Sequence, residues 1–204
     1  MEVKNVPKGT TGLEYELTYF ANINGSQIER GVSTGGKPVD LTGQTEFSKK
    51  LLLGSASCTT GTCKYSYDEG VTEGMLTLTL IGSESNKYSS AFRIQKGLEA
   101  KEGFSTGDGV FNLTSTALSA KAVYLTISSI GIPVQLPTGV MVKSVPYAVY
   151  PSITGKGTVS FKTDLAGVSI YGLNGKTWQK LATTVQADKA SAEFSNMSLF
   201  ILGQ

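Results

Sequence analysis

The amino-acid sequence predicts an all-β protein. Over 204 residues, short runs of alternating apolar and polar side chains recur about every 8–12 residues, a spacing typical of β-sandwiches. Glycine and β-branched residues interrupt every window long enough to hold three turns of helix. The 24 Gly residues supply turns between the predicted strands, and a hydrophobic content of 40% is enough for a buried core.

Alternation and turn signals predict the individual strands. The clearest is residues 13–20, and the side chains that share its apolar face are Leu13, Tyr15, Leu17 and Tyr19. Residues 75–81 repeat the pattern, with Leu separated by Thr. Between two strand-like runs, the dipeptide Asn174-Gly175 is the strongest short-range signal of a hairpin.

About thirteen strands are predicted in this way, which is more than one nine-stranded sandwich holds. We therefore expect one or two immunoglobulin-like or Greek-key β-sandwich lobes, with two favoured. Residues 1–20 are expected to form an N-terminal strand, residues 21–100 the first lobe and residues 101–204 the second. The division is placed in the charged, glycine-containing segment 96–109.

The absence of histidine excludes many catalytic and metal-binding arrangements. Without His there is no Ser-His-Asp or Cys-His site, and two Cys cannot supply the four thiolates of an all-cysteine zinc site. The formal net charge of +2 is too small to indicate a nucleic-acid partner. Asp68, Glu69 and Asp108 lie in glycine-containing loops, where simple solvation is favoured over calcium binding. We therefore expect no enzymatic activity, no cofactor and no metal site.

Two features are typical of a chain that passes through an oxidising, glycosylating compartment. Cys58 and Cys63 flank a Thr/Gly turn, so that a disulfide would close a short loop; two free thiols are the alternative. Three Asn-x-Ser/Thr sequons are candidate sites of N-linked glycans, and they are centred on Asn24, Asn112 and Asn196.

The N-terminal sequence contains no apolar signal-peptide core, and no apolar run is long enough for a transmembrane span. We expect a mature secreted protein whose signal peptide has been removed, located outside the cell or at the cell surface. A cytosolic location is the alternative. The charged fraction of only 17% is common among extracellular fibrous and adhesive proteins.

The residues from 168 onward resemble the closing module of many prokaryotic surface proteins. The resemblance rests on a strand, the Asn-Gly turn, a strand containing Trp178, and a final strand pair with Phe194 and Phe200. Such modules are β-sandwiches in which these residues are structural. Trp178 alternates with polar neighbours, and we expect it to fill the gap between two sheets, with Phe194 and Phe200 also in the core.

The whole sequence also resembles the subunits of archaeal extracellular filaments, in particular the thread type of pilus. The matching features are the lone N-terminal strand, the sequons, the all-β pattern and the length. The resemblance implies a secreted, glycosylated subunit that joins identical subunits into a linear homopolymer by donor-strand complementation, with a role in adhesion or biofilm formation. The expected partners are therefore other copies of the chain and N-linked glycans.

A filament of this kind needs a strand that completes the sheet of a neighbouring subunit. Either the first few residues or residues 13–20 are candidates, because Gly9 and Gly12 allow a hinge between them. Donation of residues 13–20 would bury their four apolar side chains in the neighbour. The alternative is an ordinary first strand of the chain's own sandwich.

Two other functions remain open from the sequence. One is a monomeric secreted domain for adhesion or carbohydrate binding, since the nine Tyr offer flat rings that stack on sugars. The other is a viral capsid or fibre subunit built on a similar sandwich.

Overall fold

A computed structural model confirms the all-β prediction. It describes the backbone of residues 1–204 and every side chain except those of Lys101 and Glu102. Within that description the chain forms nineteen strands and one 3-10 helix of four residues, Glu99–Glu102. The chain divides into two compact units, residues 1–89 and 90–204.

Residues 1–89, all of them described, form eight complete strands in antiparallel sheets. In chain order these are β1 (Glu2–Lys4), β2 (Gly12–Ile23), β3 (Ser26–Ser33), β4 (Val39–Asp40), β5 (Glu46–Ser48), β6 (Gly54–Thr59), β7 (Thr62–Tyr67) and β8 (Glu73–Ile81). β2 is paired on both sides, with β8 on one and with β3 and β4 on the other. β1 pairs with β5, and β6 pairs with β7.

β2 buries one face because its odd-numbered residues are apolar. The residues of this face, each at most 6% exposed, are Leu13, Tyr15, Leu17 and Tyr19. The hydroxyl of Tyr19 donates a 2.7 Å hydrogen bond to Asp68 Oδ2, and Arg30 Nε lies 3.2 Å from the same oxygen. The polar end of a buried ring is thereby satisfied, and β2 is tied to the segment that follows β7.

Residues 90–204 form a β-sandwich, and the division between the units falls inside β9. The strands are β9 (Asn86–Lys96), β10 (Phe104–Ser105), β11 (Phe111–Ser115), β12 (Val123–Ser128), β13 (Tyr147–Tyr150), β14 (Lys156–Lys162), β15 (Ser169–Asn174), β16 (Thr177–Lys180), β17 (Thr183–Gln186), β18 (Lys189–Ser195) and β19 (Leu199–Gly203). One sheet has the order β10-β11-β14-β18-β17. The other, within this unit, has the order β9-β12-β13-β19-β15-β16.

The core of the second unit lies between its two sheets. One sheet contributes Phe111, Val159, Phe161 and Phe194, and the other contributes Tyr147, Val149, Ile170 and Phe200. The predicted core residues Phe194 and Phe200 meet here, with their ring centroids 5.0 Å apart. Along each strand the inward residues are separated by residues that face outward, as the period of two requires.

Phe111 is the centre of the aromatic contacts in this core. Its ring stacks on Tyr147 at a centroid distance of 5.0 Å and an interplanar angle of 6°, and it meets Phe161 edge to face at 5.4 Å. Phe111 is the register partner of Phe161 in one sheet, and Tyr147 is that of Phe200 in the other. The four rings therefore join the two sheets, and each aromatic pair adds about 0.5–1.5 kcal/mol beyond its buried area.

Trp178 is buried, but not between the two sheets, where the sequence analysis expected it. It packs with Tyr171 and Ile201 on the outer face of its sheet, under apolar residues of the segment 132–140. Its Nε1 donates a 2.9 Å hydrogen bond to the carbonyl oxygen of Val134. Alternation assigns a residue to one face of a strand, but it cannot show which face a loop will cover.

The division between the units lies earlier than the predicted one. The second unit begins at Ser90, whereas the second lobe was expected from residue 101. The difference arises because the C-terminal part of β9 pairs with β12. The segment expected to separate the lobes instead carries Ala100 and Phe104, which are fully buried in the second core. Residues 1–20 are part of the first unit rather than a separate element.

Several individual strands also differ from their predictions. The hairpin predicted at Asn174-Gly175 is confirmed, but its loop lies one residue later: Asn174 pairs with Thr177, so that Gly175-Lys176 joins β15 to β16, and Gly175 has a φ of 61°. Two strand-like runs of the sequence, 46–53 and 140–144, form less than a full strand: β5 ends at Ser48, and the second run forms only a bridge at Val142. β3 and β6 were not predicted, because both are largely exposed and show no clear alternation.

Truncation of Phe111 tests the assigned core. Phe111→Ala should lower the free energy of unfolding of the second unit by about 3–5 kcal/mol, because the side chain is fully buried. Tyr150→Ala is the control: Tyr150 is 73% exposed in β13, and its loss should cost less than about 0.5 kcal/mol. Denaturation followed by Trp178 fluorescence measures both, and equal losses would contradict the assignment.

Candidate functional site

The residues expected to form a donor strand lie inside the first unit of their own chain. They are Leu13, Tyr15, Leu17 and Tyr19 of β2, which pairs with β8 and β3. This is the arrangement of an ordinary strand, the alternative that the sequence left open. The turn from β2 to β3 contains only Asn24 and Gly25, both with positive φ, and eight register pairs follow it. β2 therefore cannot leave its sheet without unpairing β3.

The N-terminal arm, defined as residues 1–9, is held by fewer contacts. Among the described residues, β1 pairs with β5 alone, through three register positions of which Val3↔Phe47 is the middle one. Beyond β1, Met1 and Lys49 exchange two hydrogen bonds: the N-terminal amino group donates to the Lys49 carbonyl at 2.9 Å, and the Lys49 amide donates to the Met1 carbonyl at 3.0 Å. The amide of Val6 donates a 2.9 Å hydrogen bond to the Thr45 carbonyl, and Val6 is 8% exposed. The arm can therefore detach without unpairing any strand except β5.

Two features mark the arm as separable from the rest of the unit. Gly9 has a φ of 90°, and no atom lies within 4 Å of the position that a Cβ would occupy there. The arm is thus joined to β2 through a glycine turn that is open on one side of Gly9, whereas the Gly9 carbonyl packs closely against Gly82 on the other. An open cavity of about 380 Å³ lies against the β1–β5 ribbon, and half-buried Val3 and Phe47 line it.

β6 and β7 form a two-stranded ribbon in which residues 55–67 are all exposed. The predicted disulfide is present and joins the register partners Cys58 and Cys63. It shares one face of the ribbon with Tyr65 and Tyr67, which are 59% and 72% exposed. Since a lone two-stranded hairpin is only marginally stable in water, the disulfide is the main constraint on the shape of this ribbon.

The three sequons differ in how accessible their Asn side chains are. Asn24 is exposed at the turn between β2 and β3. Asn196 is exposed too, but its Oδ1 accepts a 2.8 Å hydrogen bond from the amide of Gly155. Asn112 is half-buried in β11, and its Nδ2 lies 2.5 Å from where a Cβ on Gly103 would stand. Asn24 is the sequon most open to an attached glycan.

Asp108 clamps the loop that leads into β11. Its carboxylate accepts hydrogen bonds from Thr106 Oγ1 at 2.6 Å, the Val110 amide at 2.9 Å and the Tyr147 hydroxyl at 3.0 Å. Burial alone would raise the pKa of Asp108, but the hydrogen bonds outweigh it and hold the pKa below its usual 3.8. Burial, together with the negative charge of Asp108, raises the pKa of Tyr147 above its usual 10.0.

The described side chains include no group of three or more Cys, Asp or Glu that could hold a metal ion. In the same part of the chain, no helix has the length and apolar character that crossing a membrane requires. The carboxylate of Asp108, for example, is engaged in hydrogen bonds within the fold.

Sequence reasoning located the disulfide and named the first few residues as one donor candidate, but it missed the pairing of β1 with β5 and the clamp of Asp108. The pairing of β1 with β5 leaves no sequence signal, because three-residue strands are too short to show alternation. Asp108 did have a signal. An Asp in a Gly-Asp-Gly loop readily accepts a hydrogen bond from the backbone amide two residues on, as it does from Val110.

Removal of the disulfide tests its role in the ribbon. In the double variant Cys58→Ala/Cys63→Ala, we expect residues 54–67 to lose about 2 kcal/mol of protection against opening, the chain-entropy value for so short a loop. The β2–β8 ladder should keep its protection, because it contains neither cysteine. Amide hydrogen exchange measures both regions, and unchanged protection of the ribbon would contradict the account.

The clamp should make the second unit most stable between about pH 4 and pH 10. Because the pKa of Asp108 is lowered in the folded state, its ionised carboxylate stabilises the fold at pH values above the usual pKa of 3.8. This stabilisation is lost as the pH falls through the pKa that Asp108 has in the folded state. Because the pKa of Tyr147 is raised in the folded state, its neutral hydroxyl stabilises the fold at pH values below the usual pKa of 10.0. This stabilisation is lost as the pH rises through the raised pKa of Tyr147. Asp108→Asn should cost about 1 kcal/mol at neutral pH, a modest value because Asp108 is partly exposed.

Unfolding measured across pH separates the two groups. Asp108→Asn should flatten the acid limb of the stability profile, and Tyr147→Phe, which keeps the ring, should flatten the alkaline limb. Acid and alkaline limbs that stay unchanged in these variants would show that the clamp does not contribute.

Comparison of the chain with protein-family models, with curated proteins and with solved structures finds no match. The features of the chain that bear on its function are the N-terminal arm, the disulfide-linked ribbon of β6 and β7, and the accessible Asn24.

Proposed function

We propose that the chain is a structural subunit of an extracellular filament, in which the N-terminal arm of one subunit takes the place of the arm in the next. The observation that carries the proposal is the isolation of β1: it pairs with β5 at three positions and with no other strand of the described chain. In the exchanged form the same pairs would form between subunits, which is the low-cost route of strand swapping.

The arm is favoured over β2 as the donated segment. Detaching the arm breaks the three-position ladder with β5, the hydrogen bonds of Met1 with Lys49 and of Val6 with Thr45, and it exposes Val6. Detaching β2 instead breaks its longer pairing with both β3 and β8. Donation of β2 would also expose the four buried side chains of its apolar face, at roughly 1.5–3 kcal/mol each. The arm is thus the segment that the first unit can release while the rest of it stays folded.

The link formed by the arm would be weaker than the near-permanent link that a donated β2 would form. Val6 is buried and Val3 half-buried, so the arm contributes only a few kcal/mol of apolar burial. Because the closed and exchanged forms make the same contacts, protein concentration and the turn at Gly9 would decide between them.

The disulfide and the sequons support an extracellular, glycosylated subunit. A stable disulfide in an exposed ribbon is typical of proteins that reside in oxidising compartments. Asn24 stands at a turn of the first unit, away from the arm in sequence, and a glycan there would be compatible with exchange. Attachment of glycans and a role in adhesion are parts of the same proposal.

A second candidate function, a monomeric secreted adhesion or carbohydrate-binding domain, is favoured by the exposed pair Tyr65 and Tyr67. Residues two apart on a strand lie about 6.7 Å from each other, so that both rings can meet one extended ligand. Their face carries no charge, since Gly54 and Ala56 are their register partners.

Cross-linking of mixed single-cysteine variants tests exchange of the arm. Val3→Cys and Phe47→Cys are prepared separately, mixed and oxidised; register partners in a ladder are close enough for a disulfide. Exchange predicts covalent dimers that contain one chain of each kind, visible on a non-reducing gel. A doubly substituted chain should give a ladder of covalent polymers.

Glu16→Cys mixed with Thr77→Cys is the matched control, because these positions are register partners in β2 and β8. It should give no dimers of mixed composition. Dimers from the control pair alone would identify β2 as the donor, and none from either mixture at assembly concentrations would favour the monomeric function.

A further inference from the structure

The second unit contains an open cleft of about 700 Å³ that the filament function does not use. One wall is formed by the end of β11, the start of β14 and the end of β18, and the other by the β15–β16 hairpin and the turn at 195–197. Small-molecule sites in proteins have volumes of about 300–1,000 Å³, so the size suits a ligand of one to three sugar rings.

Neutral hydrogen-bonding groups dominate the walls. Those without a side-chain hydrogen bond to another described residue are Thr114, Thr116, Thr158, Asn174 and Gln179. Hydroxyl and primary amide groups both donate and accept, and they are the natural complement of a ligand that is rich in hydroxyl groups. Because the side chains are half-buried or exposed, they are available to a ligand that enters from solvent.

The backbone of β14, the middle strand of the first wall, is already hydrogen-bonded on both sides. β14 lies between β11 and β18, and the ladders on both sides include the cleft residues Thr158 and Gly157. A peptide could therefore not add to this wall by main-chain pairing. Recognition at β14 must therefore come from side chains, which suits a compact polar ligand.

The charges of the cleft favour a neutral ligand. It contains one cation, Lys156, and one anion, Glu193, and these two make no ion pair with each other in the described structure. A single Lys beside a Glu is a poor phosphate or nucleic-acid site. Lys156 can instead donate to a ligand hydroxyl, and Glu193 can accept from one.

Apolar side chains also line the cleft. Phe194 and Met197 belong to the core and are each 4% exposed, so half-buried Leu181 is the most accessible of the three. The Phe194 ring has this place because residue 157 is Gly: a Cβ there would lie 2.6 Å from the ring. Leu181 can therefore meet a C–H face of a sugar, whereas the polar walls meet its hydroxyl groups.

We propose that this cleft is a binding site for a short neutral oligosaccharide. It would give the second unit a saccharide-binding activity that is independent of arm exchange, since all the cleft residues belong to residues 90–204. The binding is expected to be weak, with a Kd on the order of 1 mM, as for a shallow site in which hydrogen bonds replace those of water.

Chemical-shift mapping on the full-length ¹⁵N-labelled chain tests the proposal. The probes are maltose, cellobiose and N,N′-diacetylchitobiose, with sialic acid as the acidic comparison. At least one neutral disaccharide should shift amides of the cleft strands in a saturable way. Loss of two hydrogen bonds in Thr158→Val/Gln179→Ala should raise its Kd about tenfold.

Thr184→Val is the matched control, because Thr184 is exposed on β17 and does not line the cleft. The Kd of the disaccharide for this variant should equal its Kd for the unsubstituted chain. The spectra report folding of each variant in the same experiment. The proposal is overturned if no neutral probe causes localised shifts at concentrations on the order of 10 mM, if sialic acid binds better than the neutral probes, or if the double variant binds unchanged.

Discussion

The second unit depends on the contact between Phe111 and Tyr147. The two rings belong to different sheets, so their stacking holds the sheets together at the centre of the core. Asp108 holds Tyr147 in this contact, because its carboxylate accepts a hydrogen bond from the Tyr147 hydroxyl. The same carboxylate accepts one from the Val110 amide and so closes the loop that leads into β11. With β11 and β13 set in this way, the ladders to β14 and β19 follow in register.

Much of this fold was predictable where one face of a strand is buried. β2 shows strict alternation because one of its faces is buried, and the Leu residues of β8 that pair with this face alternate with Thr, although only Leu78 among them is buried. The turn after β15 is encoded by Gly175, a residue type that readily adopts positive φ. β6 and β7 were harder to predict because neither face is covered, so that nothing selects apolar residues at every second position. Trp178 shows a further limit, since its burial depends on a loop more than thirty residues earlier in the chain.

The candidate functional features were less predictable than the fold. The disulfide could be predicted from the spacing of two cysteines. The proposal for the arm instead rests on β1 pairing with β5 alone among the described strands, and the sequence does not reveal which strands a segment leaves unpaired. The β2 segment attracted the donor interpretation because its apolar face is conspicuous. In the structure that same face anchors β2 in its own unit, whereas the less apolar arm pairs with β5 alone and is the segment that we propose is donated.

Negative-stain electron microscopy of the full chain and of a chain lacking residues 1–9, at matched concentrations, tests the central claim most directly. Circular dichroism would first establish that the shortened chain keeps its β-structure. The account predicts thin filaments from the full chain and compact single particles from the shortened one. Filaments from both chains, or single particles from both, would contradict assembly through the N-terminal arm.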